Sequence, residues 1–158
     1  MTAQSARPPS FFVEAQRALL TSILNRIVPA SGVFPGAGDL GIADYIDVVV
    51  ARSAALKWLF AQGLSRIEVS SQAQYAQDFA ALSDGQKDAV LHHVESQNSE
   101  FFAALVLHTY SGYYSNPAVI RLLGLDVRPP QPIGFDLEPF DPSLLETVRK
   151  RGSLYRLA

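Results

Sequence analysis

Residues Ser83–Pro117 read SDGQKDAVLHHVESQNSEFFAALVLHTYSGYYSNP, and their end signals alone mark out two helices. Ser83-Asp84-Gly85-Gln86 matches the capping-box pattern, in which a serine hydroxyl and a glutamine side chain satisfy each other's free backbone donors. A helix runs from there to about Ser96. Asn98 or Ser99 caps the next, which carries Phe101, Phe102, Leu105 and Leu107 into His108–Pro117. Asn116-Pro117 then supplies a cap and a proline at the first position of a short helix that Gly124 closes. No alternating strand pattern bounded by turns competes with this reading.

The same punctuation continues outward. Upstream, Ser10 is a plausible N-cap for a helix to about Val28, with Phe12, Ala15, Leu19, Ile23 and Ile27 near helical spacing and Pro29 ending it. The segment Pro29–Gly41, PASGVFPGAGDLG, holds four glycines and two prolines and reads as irregular. It delivers Asp39 as a cap for a helix in which Tyr45, Ile46, Val49, Val50, Trp58 and Leu59 recur until Gly63. A polar connection and a further helix across Ser71–Ala81 follow. Downstream, Pro129, Pro130, Pro132, Pro139 and Pro142 are half of the ten prolines. They predict an extended arm carrying Phe135, Leu137 and Phe140, then a short helix from Asp141-Pro142 to Arg151. The fold class is therefore all-α: a compact bundle of about five to seven helices with a Pro-rich C-terminal arm. Residues 1–9 form a flexible N-terminal arm, 10–126 the helical domain, and 127–158 the Pro-rich arm with its short helix.

Composition narrows the partners. Of 158 residues, 48% are hydrophobic and only 18% charged, so the domain has difficulty covering itself with polar surface. A net charge of −2 gives no footprint for nucleic acid or anionic lipid. The basic run Arg149-Lys150-Arg151 complements the end of a last helix. The longest stretch without Asp, Glu, Lys or Arg, Phe101–Ile120, is too polar in its second half to span a membrane. There is no cysteine, which excludes disulfides, thiolate catalysis and cysteine-ligated clusters. The N-terminal MTAQSARPPSFF carries one arginine and no long apolar run, unlike a secretory or twin-arginine leader.

Candidate chemistry is sparse. His92 and His93 point about 100° apart on a helix, so only His92 with Glu95 or Ser96 shares a face, and no Glu-x-x-His pair supports a di-iron bundle. His108, Thr109 and Ser111 lack a Gly-x-Ser-x-Gly elbow and an obvious acid partner. The glycine loop Gly32–Gly38, which leads into the loop motif Pro35, Gly36, Ala37 and Asp39, is neither a Walker loop nor a dinucleotide fingerprint, and its proline removes a donor. What remains is aromatic. Tyr110, Tyr113 and Tyr114, at i, i+3 and i+4, make one patch if the helix continues that far. Two uses stay open for it: a partner surface, or packing inside the domain against the arm.

An ordered series of short motifs adds to this. Ile27-Val28-Pro29, Pro35-Gly36-Ala37-Gly38-Asp39 and Tyr45-Ile46-Asp47 come first. Phe79-x-x-Leu82, Gln86-Lys87-Asp88-x-Val90-Leu91, Phe101-Phe102, Thr109–Pro117 and Leu123-Gly124 follow in order. Together they resemble the gluconate 2-dehydrogenase subunit 3 family. The resemblance implies a non-catalytic small subunit that stabilises or chaperones a large FAD-dependent sugar or sugar-acid dehydrogenase of the glucose–methanol–choline type. It places the FAD and the catalytic residues on that partner, with a cytochrome c subunit or another electron acceptor beside it. This chain then carries no cofactor, metal or catalytic residue of its own, and Tyr110, Tyr113, Tyr114, Phe135 and Phe140 are its interface residues. Family relatives are typically periplasmic and carry a twin-arginine leader, whereas none is visible here, so periplasm and cytoplasm both stay open. The competing readings are a free-standing helical module that binds a small molecule in the tyrosine patch, and an isolated metal-dependent hydrolase.

Overall fold

The computed structural model describes residues 10–125, 141–146 and 150. The chain divides into two units, one ending at Val127 and the other starting at Arg128. The described part of the first unit is built from six α-helices: α1 (Glu14–Ile27), α2 (Ile42–Ala51), α3 (Ala54–Tyr75), α4 (Asp84–Gln97), α5 (Ser99–Ser115) and α6 (Pro117–Leu122). A 3₁₀ turn, Phe79–Ala81, links α3 to α4. The all-α class follows, and among the described residues no helix is long and apolar enough to cross a membrane.

Helix ends set by neighbouring residues fall where the sequence puts them. The Ser83 N–H donates to Gln86 Oε1 at 2.9 Å at the start of α4. Asn98 Oδ1 accepts from the Phe101 N–H at 3.4 Å for α5, and Asn116 Oδ1 from the Ala118 N–H at 2.9 Å for α6. Gly124 takes a φ of +73°, the left-handed conformation that ends a helix at least cost in glycine.

Several helix boundaries are corrected, two of them by longer-range interactions. Ser10 does not cap α1, which begins at Glu14, because its hydroxyl donates to Asp47 on α2. Asp39 does not cap α2. Gly41 sits at that position with a φ of +71°, and Asp39 pairs with Asn25 instead. The single helix expected as far as Gly63 is two helices: Ser53 is extended and its Oγ accepts from the Leu56 N–H at 3.3 Å, opening α3 inside an apolar run. Gly63 is no stop but the buried middle of α3, which continues to Tyr75. The helix expected across Ser71–Ala81 is therefore the last turn of α3, a left-handed Ala76 (φ +53°), and the 3₁₀ turn that buries Phe79. In the second unit Asp141 caps a 3₁₀ turn, Pro142–Leu145, its Oδ1 accepting from the Ser143 N–H at 2.9 Å. Residues 1–9, the Pro-rich stretch with Phe135 and Phe140, and the expected helix end at Arg151 lie outside the described residues.

The core gathers Leu20, Ile23 and Leu24 of α1, Ile46 and Val50 of α2, Phe60, Leu64 and Ile67 of α3, Val90 of α4, and Phe101 and Leu105 of α5. Its tightest point is where α3 meets α5. A Cβ on Gly63 would overlap the ring of Phe101, which packs edge-on to Phe60 with centroids 5.5 Å apart. Helix propensity alone argues for alanine at position 63 by about 1 kcal/mol. Overpacking a fully buried ring costs about 1–3 kcal/mol and outweighs it. Gly63→Ala is thus expected to lower the urea midpoint, with Gly63→Val lowering it further. An alanine variant as stable as the parent would show that α3 and α5 can separate freely here.

Candidate functional site, a motif junction and an outward helix face

The glycine loop is closed on itself by Asn25, a polar residue in the last turns of α1. Asn25 Oδ1 accepts from the Gly38 N–H at 2.8 Å and the Asp39 N–H at 3.3 Å, and its Nδ2 donates to Asp39 Oδ1 at 2.9 Å. The Ala37 N–H donates to the Val28 carbonyl at 3.0 Å. Three consecutive loop donors are thus engaged within the chain, which leaves them no free N–H groups to cradle a phosphate. Gly38 allows the fit, since a Cβ there would overlap the Thr21 carbonyl oxygen.

Residues His108–Pro117 come to this loop from the other side. Tyr113 is 3% exposed and its hydroxyl donates to the Pro35 carbonyl at 2.9 Å. Burial pushes its phenol above the ordinary value, and neighbouring Tyr114 adds to the shift. Gly112 lies against α2, where a Cβ would come within 2.6 Å of the Tyr45 ring. Thr109 is buried and donates to the Leu105 carbonyl at 2.6 Å. His108 packs beside Phe60 with ring centroids 6.5 Å apart, and Ser111 is exposed, so these three polar residues serve different surroundings. The tyrosines also divide. Tyr113 turns inward while Tyr110 and Tyr114, 45% and 55% exposed, stay outside with ring centroids 6.1 Å apart.

Asp47 completes the junction and is the residue least readable in advance. It is 2% exposed and accepts from the Phe11 N–H at 2.7 Å, the Phe12 N–H at 3.0 Å and the Ser10 hydroxyl at 2.9 Å. The Arg17 guanidinium bridges it to Asp44. Burial works to raise its pKa, but the two backbone N–H groups, the serine hydroxyl and the arginine charge together hold the carboxyl below the ordinary carboxylate range. The available signal was one carboxylate inside the otherwise apolar run Tyr45–Val50.

On the opposite side of α1, Arg26 donates to Asp88 through Nε at 2.8 Å and Nη2 at 2.7 Å, while Nη1 lies 2.8 Å from Asp84. Hydrogen bonding to Arg26 lowers the Asp88 pKa. This pins α4 to α1 beside two open grooves of about 330 and 610 Å³ that share Phe102, Val106 and Tyr110 of α5. His92 Nδ1 is 3.3 Å from Glu95, both on the surface, and among the described residues no three His, Asp or Glu side chains are grouped to hold a metal ion.

Replacing Asp47 by Asn is expected to cost about 3 kcal/mol at neutral pH, because it strips charge from a buried, fully bonded carboxylate and leaves Arg17 half-paired. A depressed folded-state pKa adds stability above the unfolded value, about 3.9, and this is lost as pH falls through the folded one. Asp88, also depressed, titrates in the same acid window, so the parent is compared with the variant at each pH. Their gap in denaturation free energy should be constant from pH 7 to about 5 and shrink below about 4. A gap that persists unchanged to low pH would mean that the carboxylate charge contributes nothing.

No curated protein and no solved structure matches the chain. A family model does, over residues 14–126, a span that takes in the Asn25 loop, Asp47, the α4 cap and the tyrosine stretch. The chain belongs to the gluconate 2-dehydrogenase subunit 3 family.

Proposed function

We propose that the chain is a non-catalytic accessory subunit that stabilises a large FAD-dependent dehydrogenase acting on a sugar or sugar acid. The flavin and the catalytic residues belong to that partner, and a cytochrome c subunit or another acceptor takes the electrons. Membership of a family named for a subunit of gluconate dehydrogenase supports a partner-dependent role. The single observation that carries the reading is how the motif residues are used. Asn25, Pro35, Gly38, Asp39, Asp47, Gly112 and Tyr113 are engaged in internal bonds or close packing. The part of the tyrosine stretch left outside includes the Tyr110 and Tyr114 rings, on a helix whose only charged residue is Glu100. Exposed apolar area of this kind marks interfaces more often than reaction centres. Phe135 and Phe140 extend the proposal as anchors along the Pro-rich segment.

Co-expression with the large subunit tests it. The two chains are expected to purify together, and the accessory chain alone to be colourless and without dehydrogenase activity. The melting temperature of the complex should exceed that of either chain, since binding to the folded form alone stabilises it. Phe135→Ala with Phe140→Ala should weaken the complex by several kcal/mol, at about 2 per anchor, and leave the free chain's melting unchanged. A large subunit that folds, holds flavin and turns over equally well without this chain would refute the reading, as would flavin bound to the isolated small chain.

A further inference from the structure

Ala103, Leu107, Tyr110 and Tyr114 are all exposed and follow one another at intervals of four, three and four residues along α5. Leu107 is 61% exposed. That spacing is the seam by which one helix packs along another at a shallow crossing angle, knobs seated in the spaces between four residues of the neighbour. Phe102 and Val106, half-buried one column over, floor the two grooves beside the seam and provide such spaces. The seam runs over 12 residues, 103 to 114, an axial rise of about 16 Å or three turns. Its far wall is preformed, because Arg26 holds α4 through Asp84 and Asp88.

Among the described residues the charge around this seam is mainly negative. Across α4 and α5 the carboxylates are Asp84, Asp88, Glu95 and Glu100, against a single Lys87. Among the described residues Arg26 is the only cation lining either groove, and it is already engaged by two of those carboxylates. We infer that this seam receives an amphipathic helix of the large dehydrogenase subunit, its apolar stripe flanked by Lys or Arg that meet Glu95 and Glu100. The inference rests on the accessory-subunit reading and adds to it the face used and the chemistry of the segment docked there. A second copy of the same seam fits poorly, since pairing two would set Glu95 and Glu100 against their like. On α3 the exposed column that starts at Trp58, 68% exposed, has polar Gln62 and Ser65 before Val69, has Arg66 beside it, and lacks this acidic border.

The test uses the purified complex and the free full-length chain. Leu107→Asp and Tyr110→Asp are each expected to raise the Kd for the large subunit at least tenfold, the scale of a buried anchor at an interface, while the free variants melt within about 2 °C of the parent. Glu95→Lys with Glu100→Lys should slow association and flatten its dependence on ionic strength. Trp58→Asp should bind as the parent does. A parent that binds while both seam variants bind equally well would overturn this inference and leave the accessory reading standing. So would seam variants that melt several degrees lower yet bind at full strength, which would mean that the face is covered within the chain. Charge reversal that leaves the salt dependence unchanged would overturn the basic character assigned to the docked helix. A parent chain that does not bind the large subunit at all would bring down the accessory reading, and the seam inference with it.

Discussion

A buried carboxylate that must be satisfied organises this molecule. Desolvating Asp47 is tolerable only if several donors converge on it, and they come from the chain start and from α1: two backbone N–H groups, a serine hydroxyl and an arginine. Meeting that demand draws residues 10–12 against α2 and seats Phe12 beside Phe60 at 6.1 Å. It also sets the register of α1 against α2, and α2 in turn presents Tyr45 to Gly112 of α5. A charge that would be costly alone thus specifies how three elements fit. Replacing the network by apolar residues would be permissible energetically but would remove that specification.

The second organising device is a pair of glycine–aromatic contacts of opposite sense. Near its N-terminus α5 gives a ring, Phe101, to the glycine of α3. Near its C-terminus it gives a glycine, Gly112, to the ring of Tyr45 on α2. Held at both ends, α5 has no freedom to roll about its axis, and the Tyr113 hydroxyl bond to Pro35 adds a third restraint. The outward positions of Leu107, Tyr110 and Tyr114 follow from what the opposite side of the same helix is required to bury.

The fold class was legible because capping is local. Ser83 with Gln86, Asn98, and Asn116-Pro117 each carry their partner within three residues, and the helices start where those pairs say. Long-range demands were not legible. Ser10 resembles a cap until Asp47, 37 residues away, takes its hydroxyl. Gly63 resembles a stop until Phe101 supplies the reason for a glycine within a helix, and Asp39 resembles a cap until Asn25 claims it. The break at Ser53 was hidden because the apolar period runs through it. Of the candidate surface, the tyrosine spacing was visible, but the inward turn of Tyr113 and the groove wall from α4 depend on packing that no local pattern encodes.

Because Gly63 and Phe101 share one volume, neither position can drift alone. A side chain gained on α3 needs atoms removed from α5, and a smaller residue at 101 would leave a hole that only a larger residue at 63 could fill. Gly112 likewise cannot gain a side chain unless Tyr45 or Ile42 of α2 gives way, so change where these helices meet calls for compensation on a second helix. The outward side of α5 is under no such pairing rule from the core. Its seam can be retuned one residue at a time to follow a changing partner, while the helix that carries it keeps its place.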